Sequence, residues 1–105
     1  MTQIDPIIPK LLDIKHKDQV QRLAALMSEL RGLEQKRADL TSEFERLDER
    51  QDGFTQISIA NGYLRYMQHR QEILDKQIAK AKAAVDAIQD DLRQTVFSQS
   101  VLNKL

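Results

Sequence analysis

Two histidines and a scatter of carboxylates are the residues of this sequence best suited to chemistry. A metal site needs nitrogen, sulfur or carboxylate ligands gathered at short spacing. His16 and His69 have no second His or Cys near them, and they fall in different halves of the chain. Glu43, Glu45, Asp48 and Glu49 are close in sequence, but general acid–base work needs a cleft that perturbs their ionisation. There is no Gly-rich phosphate loop, nucleophile elbow or zinc motif. No catalytic residue, cofactor site or metal ligand is therefore expected, and the chain does not read as an enzyme.

The basic residues Arg65, Arg70, Lys76, Lys80 and Lys82, with Tyr63 and Tyr66 beside them, raise the question of nucleic-acid binding. Glu72 and Asp75 interrupt that run, and 16 basic residues balance 16 acidic ones over the chain. No electrostatic footprint for nucleic acid results.

The elements that would position these residues are helices. Apolar residues fall at Leu23, Leu26, Leu30, Leu33, Leu40, Phe44 and Leu47, with Arg37 at the middle of the one seven-residue step. His16 lies on an a position of the same pattern. This is the a/d seam of a helix that faces another helix. A second seam answers it: Leu64, Met67, Gln71, Leu74, Ile78, Ala81, Val85, Ile88, Leu92, Thr95, Gln99 and Leu102. If the chain folds back near residue 59, seam residues whose numbers sum to 118 meet, matching a with d as antiparallel packing requires. Phe44 then faces Leu74, Leu40 faces Ile78, Arg37 faces Ala81, Leu33 faces Val85, Leu30 faces Ile88 and Leu26 faces Leu92. Flanking charges follow no consistent rule in that register: Glu34 meets Lys82, whereas Arg50 meets Arg70 and Glu29 meets Asp91. The apolar seam is thus expected to set the register without help from charge.

The fold class implied is all-α: two long helices forming an antiparallel coiled-coil hairpin, one domain over residues 1–105. Helix 9–52 begins near Pro9, or one turn earlier with Asp5 as its cap. A turn at 53–61 holds Gly53, and helix 62–103 follows, capped by Ser58 or Asn61. Gly32 sits inside the first helix on its solvent side. With 30% charged, 41% hydrophobic and 5% aromatic residues, the composition is that of a coiled coil rather than of a globule with a thick core. The absence of cysteine excludes a disulfide framework and suits a reducing compartment. No secretory signal or membrane-length apolar run is apparent, so a cytoplasmic location without membrane insertion is expected.

Apolar residues off the seam carry the functional signal. Ile7, Ile8, Leu11, Ile14, Val20 and Met27 lie near the start, and Val96, Phe97, Val101 and Leu105 near the end. A hairpin brings these groups to one end, with Val20 and Val96 facing each other beside the seam. Exposed apolar patches of this kind mark an interface. Leu11, Ile14, Val20, Val96, Phe97 and Val101 are therefore candidate partner-binding residues. Phe54, Tyr63 and Tyr66, which gather most of the aromatics at the closed end, form a second candidate surface. A structural alternative uses the same residues: a self-associating coiled coil, such as a four-helix bundle of two hairpins, or a chaperone that holds a client helix.

The long heptad helix, the short break, and then Tyr63-Leu64-Arg65-Tyr66-Met67-Gln68 followed by Ile73 or Leu74 and Ile78 resemble the FliJ/YscO family. These are the coiled-coil stalk proteins of flagellar and type III secretion export machines. The resemblance implies a cytoplasmic, non-enzymatic stalk, similar to the central shaft of a rotary ATPase. It would engage the export ATPase ring, link it to the export gate and, in some members, handle export chaperones. The apolar open end would suit the ring-facing end.

Overall fold

The computed structural model describes the backbone of residues 5–49 and 54–105, and the side chains of residues 5–46 and 62–105. Over those residues the chain is an all-α hairpin of two helices, α1 (Ile7–Glu49) and α2 (Phe54–Asn103). Asp5 starts α1: its Oδ1 accepts the Ile7 N–H at 3.0 Å and its carbonyl accepts the Ile8 N–H at 3.1 Å. Pro6 occupies the first turn, where a missing N–H costs nothing. The helix thus begins one turn ahead of Pro9, at the earlier of the two starts the sequence allows. At the other end, N–H groups of Lys104 and Leu105 reach back three residues to the carbonyls of Val101 and Leu102 at 3.1 and 3.2 Å, tightening the last turn of α2.

The connection differs from the expected turn at 53–61. α1 ends at Glu49 and α2 already begins at Phe54, so residues read as a break are helical. Thr, Ile, Ser and Gly each cost a helix only a fraction of about 1 kcal/mol, and no proline lies in the stretch to stop it. Ser58 and Asn61 are consequently interior to α2 and not at its start. Gly62 is interior too, with open space where a Cβ would stand, as at Gly32.

The hairpin divides into two compact units, each built from both helices. The first comprises Met1–Ser28 with Lys82–Leu105, and the second comprises Glu29–Ala81. In the second unit Arg37 Nε donates to Asp75 Oδ1 at 2.8 Å. In the first, Gln99 Nε2 donates to Asp13 Oδ1 at 3.0 Å. The residue numbers sum to 112 in both bonds, which places each donor in the layer next to its acceptor when seam partners sum to 111. The buried and half-buried positions obey that register. In the second unit Phe44 shares a layer with Met67, Leu40 with Gln71, Arg37 with Leu74, Leu33 with Ile78 and Leu30 with Ala81. In the first, Leu26 shares a layer with Val85, Leu23 with Ile88, Gln19 with Leu92, His16 with Thr95 and Leu12 with Gln99.

The expected register is therefore one heptad out. Phe44 does not meet Leu74, nor Leu40 Ile78, nor Leu26 Leu92. An a/d seam repeats every seven residues, so apolar matching fits registers a heptad apart almost equally well. A polar contact decides between them. Arg37, expected to face Ala81, instead has its Nε on Asp75 while its Nη1 donates to Thr41 Oγ1 at 2.7 Å. Of the two seams, that of α2 is where the sequence placed it at every position. That of α1 extends further back than Leu23, through Gln19 and His16 to Leu12.

Candidate partner-binding surface

The unit of Met1–Ser28 and Lys82–Leu105 buries polar side chains in its seam and exposes apolar ones outside it. Its least exposed side chains are Val85 at 8%, Gln19 at 6% and Thr95 at 3%. Thr95 is accommodated because its hydroxyl donates to the Asp91 carbonyl at 3.1 Å. Gln19 is not: its Oε1 is buried without a hydrogen-bond partner among the described residues. Meanwhile Phe97 is 70% exposed, Ile14 66% and Leu11 57%.

Heptad geometry explains the placement. Ile7, Leu11 and Ile14 are spaced four and three, which keeps them on one face of α1 away from Leu12 and His16. Phe97 and Val101 are spaced four apart on the corresponding face of α2, and Leu105 lies just beyond the helix end. Ile8, Leu12, Phe97, Ser98, Val101 and Leu102 line an open groove of about 410 Å³. A smaller cleft of about 260 Å³ beside it is more polar, with Pro9, Asp13, Gln99 and Asn103 in its wall. Elsewhere on this unit charges pair within their own helix, Arg22 with Asp18 at 3.0 Å and Arg93 with Asp90 at 2.9 Å. Apolar side chains exposed together in this way are the mark of a protein-binding patch.

All six open-end candidates from the sequence are exposed, but they do not form one cluster. Phe97 and Val101 share the groove. Leu11 and Ile14 lie on the outer face of α1. Val20 and Val96, 43% and 46% exposed, do not face each other, because the observed register moves them a heptad apart. Ile8, Leu12 and Leu102 complete the groove. The extension of the seam by steps of four and three back from Leu23 would have placed Leu12.

At the other candidate surface Tyr63 and Tyr66 stack on each other, ring centroids 6.1 Å apart and planes at 27°. Both are exposed. Phe54 is the first residue of α2, and its side chain lies outside the described residues, as do those of Ile57 and Ile59.

No family model matches the chain, and no curated protein or solved structure does. Among the described residues no three His, Cys, Asp or Glu side chains come together as a metal would require. No described helix is long and apolar enough to cross a membrane.

Proposed function

We propose that this chain is a non-enzymatic coiled-coil stalk or adaptor of a flagellar or type III protein export apparatus, acting in the cytoplasm. It binds the export ATPase ring through the outer face of the Met1–Ser28/Lys82–Leu105 unit and couples the ring to the export gate. The observation that supports this reading is the exposure of Leu11, Ile14, Phe97 and Val101 on a unit whose own seam buries Gln19 and Thr95. Apolar side chains at solvent-facing heptad positions add nothing to the hairpin's own core, but they suit a docked protein. The segment Tyr63–Gln68 and the heptads after it add the resemblance to the export stalks.

The mechanism is mechanical. The docking face makes contacts that differ between arrangements of the ring, and the arrangement that fits the face best is the one stabilised. A tagged pull-down from the source cells, with the eluate identified by mass spectrometry, tests the proposal. The wild type should recover an export ATPase, and the Phe97→Asp, Val101→Asp variant should not while retaining its helical circular dichroism. Recovery of the chain alone by both proteins would replace the stalk with a self-associating coiled coil.

A further inference from the structure

The two registers that the seams permit differ by one heptad, and apolar matching alone does not choose between them. In the observed register His16 shares a layer with Thr95, and Gln19 lies against Leu92. Slid by seven residues, Gln19 would lie opposite Gln99, Leu26 opposite Leu92, Leu40 opposite Ile78 and Phe44 opposite Leu74. Each register thus matches one polar pair across the seam and leaves other polar residues against apolar ones. The observed register leaves a defect that the other would repair: the buried, unpartnered Oε1 of Gln19 would meet a side-chain amide in Gln99. The observed register holds what the other would lose. Arg37 Nε to Asp75 Oδ1 and Gln99 Nε2 to Asp13 Oδ1 are cross-helix hydrogen bonds that a slide of about 10 Å breaks.

We propose that the hairpin has two heptad-related registers, and that the Arg37–Asp75 contact is the latch that holds the observed one. The slide carries α2 toward the connection, and seven residues at its start, Phe54–Ala60, leave the helix to supply the extra length. That stretch contains Thr, Ser and two Ile and is a weak helix former. In the Met1–Ser28/Lys82–Leu105 unit the slide dismantles the groove, since Phe97 and Val101 move a heptad away from Ile8 and Leu12. A ligand that fills the groove therefore selects the observed register, and release of the latch opposes binding there. The proposal does not depend on the ligand being an export ATPase.

The chain has no cysteine of its own, so engineered pairs report register cleanly. Leu40→Cys with Gln71→Cys reads the observed register, and Leu40→Cys with Ile78→Cys reads the slid one. A disulfide closes only when the Cα atoms come within about 7 Å, so a heptad's displacement separates the two readings. With Arg37 and Asp75 intact the 40/71 pair should oxidise and the 40/78 pair should lag well behind. Asp75→Ala should speed the 40/78 pair about fivefold, the scale of one partly exposed ion pair, and slow the 40/71 pair. Leu26→Cys paired with Val85→Cys or with Leu92→Cys should show the same exchange in the other unit. Raising salt to about 1 M, which screens the latch without altering the seam, gives the same test in a chain whose fold is unchanged. The proposal is overturned if the 40/78 pair stays slow after both treatments. It is overturned equally if 40/78 matches 40/71 while the latch is intact, or if only one unit responds.

Discussion

Among the described residues of the unit formed by Glu29–Ala81 the most buried side chains are Met67, Leu74 and Ala81. In the unit formed by Met1–Ser28 and Lys82–Leu105 they are Val85, Gln19 and Thr95. The exteriors are reversed. Among the described residues the first of these units exposes Tyr63, Tyr66 and Ile73, whereas the second exposes nine large apolar side chains, Phe97 and Leu105 most of all. Both use the same helices, the same heptad and the same register, so packing geometry does not explain the contrast. Sequence at the seam and at the outer positions does. One unit invests its apolar residues in its own core, at about 1.5–3 kcal/mol for a side chain as fully buried as Met67. The other keeps a half-buried apolar seam, with Leu23, Leu26, Ile88 and Leu92 among it, and presents further apolar residues to solvent, where they are worth little until something covers them.

The largest effect that would break this comparison is a truncation in the apolar seam set against one on the exposed face. Met67→Ala should cost about 3 kcal/mol in urea unfolding followed by circular dichroism, by lost burial plus the cavity left behind. Phe97→Ala should stay within about 0.5 kcal/mol, as surface substitutions do. A comparable loss at both positions would mean that Phe97 is core. Next in size is Gln19→Leu, which replaces the orphaned buried carbonyl by a seam residue of matching type and should raise stability by about 1–2 kcal/mol in the same assay. An unchanged midpoint would show that Gln19 finds a partner in solution. Gly32→Ala, with nothing within 4 Å of the new Cβ, should gain about 0.5–1 kcal/mol from backbone entropy alone. The smallest effect belongs to Asp75→Asn. Asp75 is 57% exposed, so losing its pairing with Arg37 should lower stability by less than about 1 kcal/mol, with the deficit shrinking as salt is raised.

Much of the fold could be read from residue types. The seam of α2 was legible from Leu64 to Leu102 because a heptad survives polar substitutions such as Gln71, Thr95 and Gln99 when its neighbours keep the period. Three features were not legible. The register escaped because apolar matching is degenerate by seven residues, and the contact that breaks the degeneracy comes from an arginine in the seam reaching an aspartate beside it. The start of α2 escaped because weak helix formers next to a glycine read as a turn, although a helix that is already propagating absorbs them. Leu12 and Gln19 escaped because the pattern was anchored at Leu23, where the run of leucines starts, and not followed back through His16.

The candidate surface was visible as an excess of apolar residues off the seam, and all six of its open-end members are exposed. Its shape was not visible. The grouping of Phe97 and Val101 with Ile8 and Leu12, and the separation of Val20 from Val96, depend on the register.

The most direct test of the account is amide hydrogen–deuterium exchange on the chain, free and with purified export ATPase. Bound ATPase should slow exchange in the segments carrying Ile8–Ile14 and Phe97–Val101, and leave the Met67–Ala81 seam as it was. Protection confined to the Glu29–Ala81 unit, or no protection anywhere, would contradict the assignment of the docking face.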